Sequence, residues 1–177
     1  MTYDLAFYAE ETRVAAASAF VVMPEVLRLT NATSVIDIGC GTAAWAAEAA
    51  RHGCEVKGVD WGVPESLRLI RAYVDHDLTG GYDCTGWDLA ICLEVAEHLP
   101  ASAAEPLVAG LAGATTILFS AATPGQPGVG HINCRSHDYW HTLFSTYGLA
   151  PTHVGAWFDE PVADFYRRNL HLYERAT

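Results

Sequence analysis

Val35-Ile36-Asp37-Ile38-Gly39-Cys40-Gly41-Thr42 is the stretch on which the fold turns. Residues 34–38 form a short apolar run of the kind that makes a buried strand, and the alanine-rich residues 42–52 read as a helix. Between them stand two glycines with one residue separating them. A strand that passes through glycines straight into a helix brings its backbone close to a ligand with no Cβ in the way.

The same rhythm continues outward from this segment. Residues 54–60 read as a second strand, 64–71 as a short helix, 72–75 as a third strand and 87–93 as a fourth. A helix over 103–112 and a fifth strand over 115–121 follow. Alternation of this kind means a parallel sheet with helices on both faces. After the glycine- and proline-rich residues 124–130 come a helix at 136–146 and strands near 151–157 and 169–174. The connection between those two strands is too short for a crossover helix and its turns, so the last strand is expected to run antiparallel to its neighbour. Residues 5–30 read as one broken or two short helices, with Pro24 at the break. The expected fold is α/β: a Rossmann-like, doubly wound, mostly parallel seven-stranded sheet with an antiparallel last strand. Its 177 residues suit one domain, with 1–30 as an amino-terminal helical cap and 31–177 as the core.

Composition narrows the function classes. An apolar fraction of 51% with 18% charged residues is globular. A formal charge of −11 opposes phosphate contacts and therefore disfavours nucleic acid as a partner. No apolar run approaches the roughly 20 residues that cross a bilayer, and the start lacks the basic stretch of a secretory signal. Five cysteines, an odd number with no C-x-x-C pair, read as reduced thiols. The expectation is a cytoplasmic protein with no membrane partner, monomeric or homodimeric.

The spacing Gly39-x-Gly41-x-x-Ala44 also fits a dinucleotide pattern and does not choose a cofactor by itself. Asp60 ends the second strand, 19 residues beyond Gly41, where a carboxylate accepts both hydroxyls of a ribose. Asp37, two residues before the first glycine, would repel a pyrophosphate and suits an ammonium. S-adenosylmethionine has the ribose, the ammonium and a sulfonium, and no phosphate.

With those acids in place, VIDIGCGT followed by GVDW resembles motif I and the acidic ribose residue of the class I S-adenosylmethionine-dependent methyltransferases, in particular their small single-domain bacterial members. His76-Asp77-Leu78-Thr79 resembles the adenine-edge motif, and DLAICLEVAEHLP at 88–100 resembles the motif IV region. PGQPGVGHIN, the helix after it and the closing FYRRNLHLY resemble the same subgroup. The resemblance implies a cofactor site made of Asp37, Gly39, Cys40, Gly41, Thr42, Ala43, Asp60, Trp61, Asp77, Leu78 and Leu93. Two departures stand out. Ala43 occupies the place of the family's third glycine, and Pro127 and Cys134 stand where similar proteins often have glycine and an acidic residue.

Methyl transfer from a sulfonium is an in-line displacement, in which the protein aligns nucleophile and methyl group. His98 and His131, near strand ends, are the expected bases. Glu94, Glu97 and His98 spell E-x-x-E-H; if a helical turn begins at Glu94, all three share one face. With His131 as fourth ligand they would make a divalent-cation site, and a similar string serves metal-dependent 2′-O-methyltransferases of small RNAs and quinone-biosynthesis O-methyltransferases. Magnesium there would lower the pKa of a bound hydroxyl. The plain alternative is that the two glutamates favour a helix N-terminus and His98 meets a local carbonyl. In similar methyltransferases the amino-terminal segment helps shape the substrate pocket, which implies Tyr3 and Tyr8, together with Glu94, on the acceptor side. The sequence thus predicts methyl transfer to a small-molecule acceptor, oxygen-directed. Its alternatives are a metal-assisted nucleic-acid 2′-O-methyltransferase and a non-catalytic cofactor-binding partner subunit.

Overall fold

The computed structural model describes residues 5–176. Five parallel strands lead the sheet: β1 (Ser34–Ile38), β2 (Glu55–Asp60), β3 (Tyr73–Asp75), β4 (Leu89–Leu93) and β5 (Thr116–Ser120). The spatial order is β3-β2-β1-β4-β5-β7-β6, where β6 is Leu149–His153 and β7 is His171–Arg175. The last strand, β7, inserts between β5 and β6 and runs antiparallel to both. This is the seven-stranded Rossmann-like sheet the sequence predicts.

Alternation along the strands sorts side chains between two helical layers. Ile36 and Ile38 of β1, with Ala90 and Cys92 of β4, pack toward α3 (Ala104–Leu111) and α4 (His137–Ser145) through Leu107, Leu111, Trp140 and Phe144. Val35, Leu89 and Ile91 pack on the other face against α1 (Leu5–Thr30) and α2 (Ala44–Arg51). There α5 (Asp164–Asn169) adds Tyr166. Every residue of β4 and β5 is buried, as expected for central strands covered on both faces. The chain leaves β1 toward β2 on one side and finds β4 on the other, so a crevice opens over the carboxyl ends of these strands.

Three expectations are corrected. Residues 5–30 form one continuous helix, not two or a broken one. Proline removes the N–H that would bond the Phe20 carbonyl, but Phe20 and Pro24 lie on the exposed side, where water reaches that carbonyl. On the opposite side Ala19, Val22, Met23 and Val26 are sealed against the core and hold the helix together. Residues 64–71 form no α-helix, only a 3₁₀ turn at Glu65–Leu67. The sixth strand ends at His153, and the connection after it contains a 3₁₀ turn, Gly155–Trp157, and the helix α5. Six residues are too few to show helical periodicity, and α5 went unseen for that reason. Among the described residues no helix is long and apolar enough to cross a membrane.

Restoring the missing helical hydrogen bond is expected to stabilise the chain: Pro24→Ala should raise unfolding stability by about 1–3 kcal/mol, read from the denaturant midpoint. A lowered midpoint would show instead that the ring makes packing contacts the helix needs.

Candidate active site

A cleft of about 920 Å³ lies over the ends of β1, β2 and β4. Its floor is the turn after β1. Gly39 and Gly41 have φ of 70° and 55°, left-handed values that suit glycine. A Cβ at Gly39 would collide with the Val95 side chain, so this glycine lets the turn lie directly on the end of β4. Ala43, at the position of the missing third glycine, is also left-handed, at φ 68°. For an L-residue that costs on the order of 1 kcal/mol, and it explains why glycine is usual there.

The two acids brace this turn. One oxygen of Asp60 accepts the Gly41 N–H at 2.6 Å, and the other accepts the Trp61 N–H at 2.6 Å. Asp37 alternates with Ile36 and Ile38, so it faces α2 and accepts the Ala46 N–H at 3.2 Å. Burial, with the nearby Asp60 charge adding to it, pushes the Asp37 carboxyl up to about 7. Burial also raises Asp60. No Lys or Arg contributes to either shift. The pair is therefore an acidic site, Asp37 buried and Asp60 half-buried, with no Lys or Arg among the described residues that line the cleft around it. Burial raises the Cys40 thiol as well, which leaves it protonated and unreactive.

The other predicted cofactor residues fall into place around this floor. Thr42, Trp61, Asp77, Leu78 and Leu93 all line the cleft, together with Gly39, Cys40 and Gly41. Asp77 caps the 3₁₀ turn Leu78–Gly80 by accepting the Thr79 N–H at 2.9 Å, which lowers its pKa. Ala43 is buried behind the wall and does not line the cleft. Tyr73 was not singled out in the sequence, yet its hydroxyl donates to the Gly41 carbonyl at 2.9 Å and secures the turn from β3.

The far wall holds the predicted chemistry, rearranged. Tyr8, Glu94, His98 and His131 line the cleft, with Phe7 and Glu11 of α1; Tyr3 lies outside the described residues. No helical turn begins at Glu94. This residue ends β4 with a left-handed φ of 54°, and a 3₁₀ turn follows at Ala96–His98. Glu94 accepts Gln126 Nε2 at 2.7 Å and Asn169 Nδ2 at 3.3 Å, and stays close enough to Glu97 to act on that carboxyl. Glu97 is fully buried, accepts the Ala122 N–H at 3.1 Å and has one carboxylate oxygen without a hydrogen-bond partner. Burial, and then the Glu94 charge, push its carboxyl well up. His98 and His131 meet edge to face with ring centres 5.0 Å apart, and burial with this neighbour holds the His98 pKa down.

Of the four residues expected to ligate magnesium, Glu97, His98 and His131 present donor atoms within 4.8 Å of one another, and Glu94 is not part of the group. One carboxylate and two imidazoles are a poor set for magnesium, a hard ion that prefers oxygen ligands. This three-residue set does not fit that ion.

The late loop reaches His131 by contacts the sequence did not disclose. The Ile132 and Asn133 N–H groups donate to the Glu97 carbonyl at 2.8 and 3.0 Å. Gln126, from the same loop, and Asn169, at the end of α5, meet Glu94. Gly128 has no room for a Cβ because the His131 ring lies against it.

Fold and cleft together are those of a Rossmann-like protein with a ligand-sized cleft over a glycine turn. The chain matches the model of a methyltransferase domain over residues 8–107 and belongs to that methyltransferase family. No curated protein matches the sequence. Among solved structures it is similar to the amino-pentose methyltransferase of calicheamicin biosynthesis from Micromonospora echinaspora, determined with S-adenosylmethionine bound. That match has a TM-score of 0.70 at 13% identity over 99% of this chain and 98% of the other. A sugar N-methyltransferase from Streptoalloteichus gives 0.69 at 17% identity, covering 100% and 94%. Against a Nostoc punctiforme structure of the O-methyltransferase type the score is 0.69 at 13% identity over 94% of this chain, which spans only 58% of that one.

The contact at Gly128 yields a direct check. Gly128→Ala should swing the His131 ring out of its seat while leaving stability within about 1 kcal/mol. The imidazole resonances of His131 report the move, and an unshifted ring would contradict the packing described.

Proposed function

We propose that this methyltransferase uses S-adenosylmethionine to methylate a small-molecule acceptor at oxygen. The observation that carries the reading is the acidic pair of buried Asp37 and half-buried Asp60, which lies beneath a two-glycine turn in a cleft with no Lys or Arg among its described lining residues. Each Asp60 oxygen keeps a lone pair after its backbone bond, enough to accept the ribose hydroxyls. Asp37 supplies negative charge for the ammonium of the amino-acid end, and Asp77 accepts from the adenine amino group. Leu78, Leu93 and Trp61 offer apolar surface to the rings. When bound, the cofactor supplies an electrophilic methyl group and departs as a thioether.

The acceptor side is the wall of Tyr8, Glu94, His98 and His131. An imidazole at this wall takes the proton of the acceptor hydroxyl as oxygen bonds to the methyl carbon. The depressed pKa of His98 keeps that ring neutral and able to accept. Similar structures include enzymes named for an amino pentose and a sugar, which supports a small acceptor. The cleft lining contains no Lys or Arg among the described residues, and the chain carries −11, which weighs against nucleic acid. Glu94, His98 and His131 all face the cleft, as a catalytic site requires and a non-catalytic subunit does not. The odd cysteine count keeps a cytoplasmic setting within this reading.

Two measurements test it. Asp60→Ala should weaken S-adenosylhomocysteine binding by about 100-fold or more, since it removes charge-assisted bonds to both hydroxyls; unchanged affinity by calorimetry contradicts the site. Release of S-adenosylhomocysteine over a panel of phenols, sugars, amines and RNA should appear with hydroxyl-bearing small molecules. Turnover confined to RNA would overturn the assignment.

A further inference from the structure

The family match ends at residue 107, but the acceptor wall depends on a residue far beyond it. Asn169 closes α5 and is 2% exposed. Its Nδ2 donates to Gln126 Oε1 at 2.8 Å and to Glu94 Oε1 at 3.3 Å. Gln126 Nε2 donates to Glu94 Oε2 at 2.7 Å, which closes a ring of three side chains from β4, the late loop and α5. On its other side Asn169 Oδ1 accepts from His137 Nε2 at 3.2 Å.

The orientation of both amides follows from the chemistry of the ring. Amide nitrogens donate and carboxylate oxygens accept, so both amides turn their nitrogen toward Glu94. That leaves Gln126 Oε1 for the remaining Asn169 N–H, and Asn169 Oδ1 for a protonated His137 Nε2. Both Asn169 N–H groups then meet acceptors, as does one of the two on Gln126.

The ring matters because of what hangs from it. His131 Nδ1 lies 3.3 Å from the Gln126 carbonyl and 3.7 Å from the Cys134 sulfur. A carbonyl only accepts, so the bond requires a proton on Nδ1 and leaves the lone pair on Nε2. Residues 124–130 contain two prolines and three glycines and belong to no helix or strand, so no ladder holds Gln126 in place. The backbone bonds near it tie only a local turn, Gln126 N–H to Thr123, and the far end, Ile132 and Asn133 to Glu97.

We propose that Asn169 is a positioning residue for the methyl-transfer reaction. It clamps Gln126 against Glu94, and the Gln126 carbonyl in turn holds His131 with a proton on Nδ1 and Nε2 free to receive the acceptor's proton. The proposal rests on the reading of His131 as the base.

Nitrogen-15 spectra of the imidazoles test it without an acceptor, with His131 assigned through His131→Gln. The wild-type protein should show His131 as the Nδ1-protonated tautomer, and Asn169→Ala and Asn169→Asp should each convert it to a mixture. A wild-type His131 protonated on Nε2 overturns the proposal even if neither variant folds, as does a folded variant whose His131 keeps the wild-type tautomer. With an acceptor in hand, both variants should lower kcat by about 10-fold or more while S-adenosylhomocysteine affinity stays within about twofold. Tautomer loss at unchanged kcat would retain the clamp and refute His131 as the base. Loss of the tautomer together with kcat supports both.

Discussion

A buried carboxylate and a half-buried one, at the floor of a cleft with no Lys or Arg among its described lining residues, are the constraint on which the rest of this structure depends. Asp37 reaches its place because β1 alternates: Ile36 and Ile38 commit to the α3 face, so Asp37 must face α2. Asp60 reaches its place because β2 lies parallel to β1 in register, Val59 beside Ile38, which leaves Asp60 level with the glycine turn. Its carboxylate then organises that turn through the Gly41 N–H. Asp37 is held well above its unfolded pKa, so its contribution to stability is full in acid and is lost as pH rises toward 7. A cationic ligand beside Asp37 would reverse that penalty.

The acceptor wall is assembled by different means. Its residues come from α1, the end of β4, the late loop and α5, and side-chain and loop contacts hold them, with no sheet ladder between them. The left-handed turn at Glu94 is the pivot. It sends one carboxylate to the Gln126–Asn169 ring and leaves Glu97 buried behind His131, 4.0 Å from Nε2. Such polar networks stabilise a single arrangement because each unsatisfied member would be expensive.

The parts legible in the sequence were those that local pattern dictates. β4 is a continuous apolar run and β1 and β5 are mostly apolar, and the Gly39-x-Gly41 turn with Asp37 and Asp60 marks the floor of the cleft by type and spacing alone. Pro24 misled because the sequence does not say which side of α1 meets water. E-x-x-E-H misled because the reading assumed α-helical phase, and the chain used a left-handed residue and a 3₁₀ turn instead. Gln126 and Asn169 had no local signature at all. They meet across 43 positions because β7, which follows α5, pairs with β5 and brings the end of α5 back over the sheet.

Proton release on cofactor binding tests the central claim most directly. Calorimetry of S-adenosylhomocysteine binding at about pH 6, repeated in buffers of different ionisation heat, counts the protons exchanged. The free protein holds Asp37 largely protonated there, and the ligand's ammonium should force it to ionise, releasing close to one proton per site. Binding with no proton release, or with uptake, would contradict the role assigned to the acidic pair.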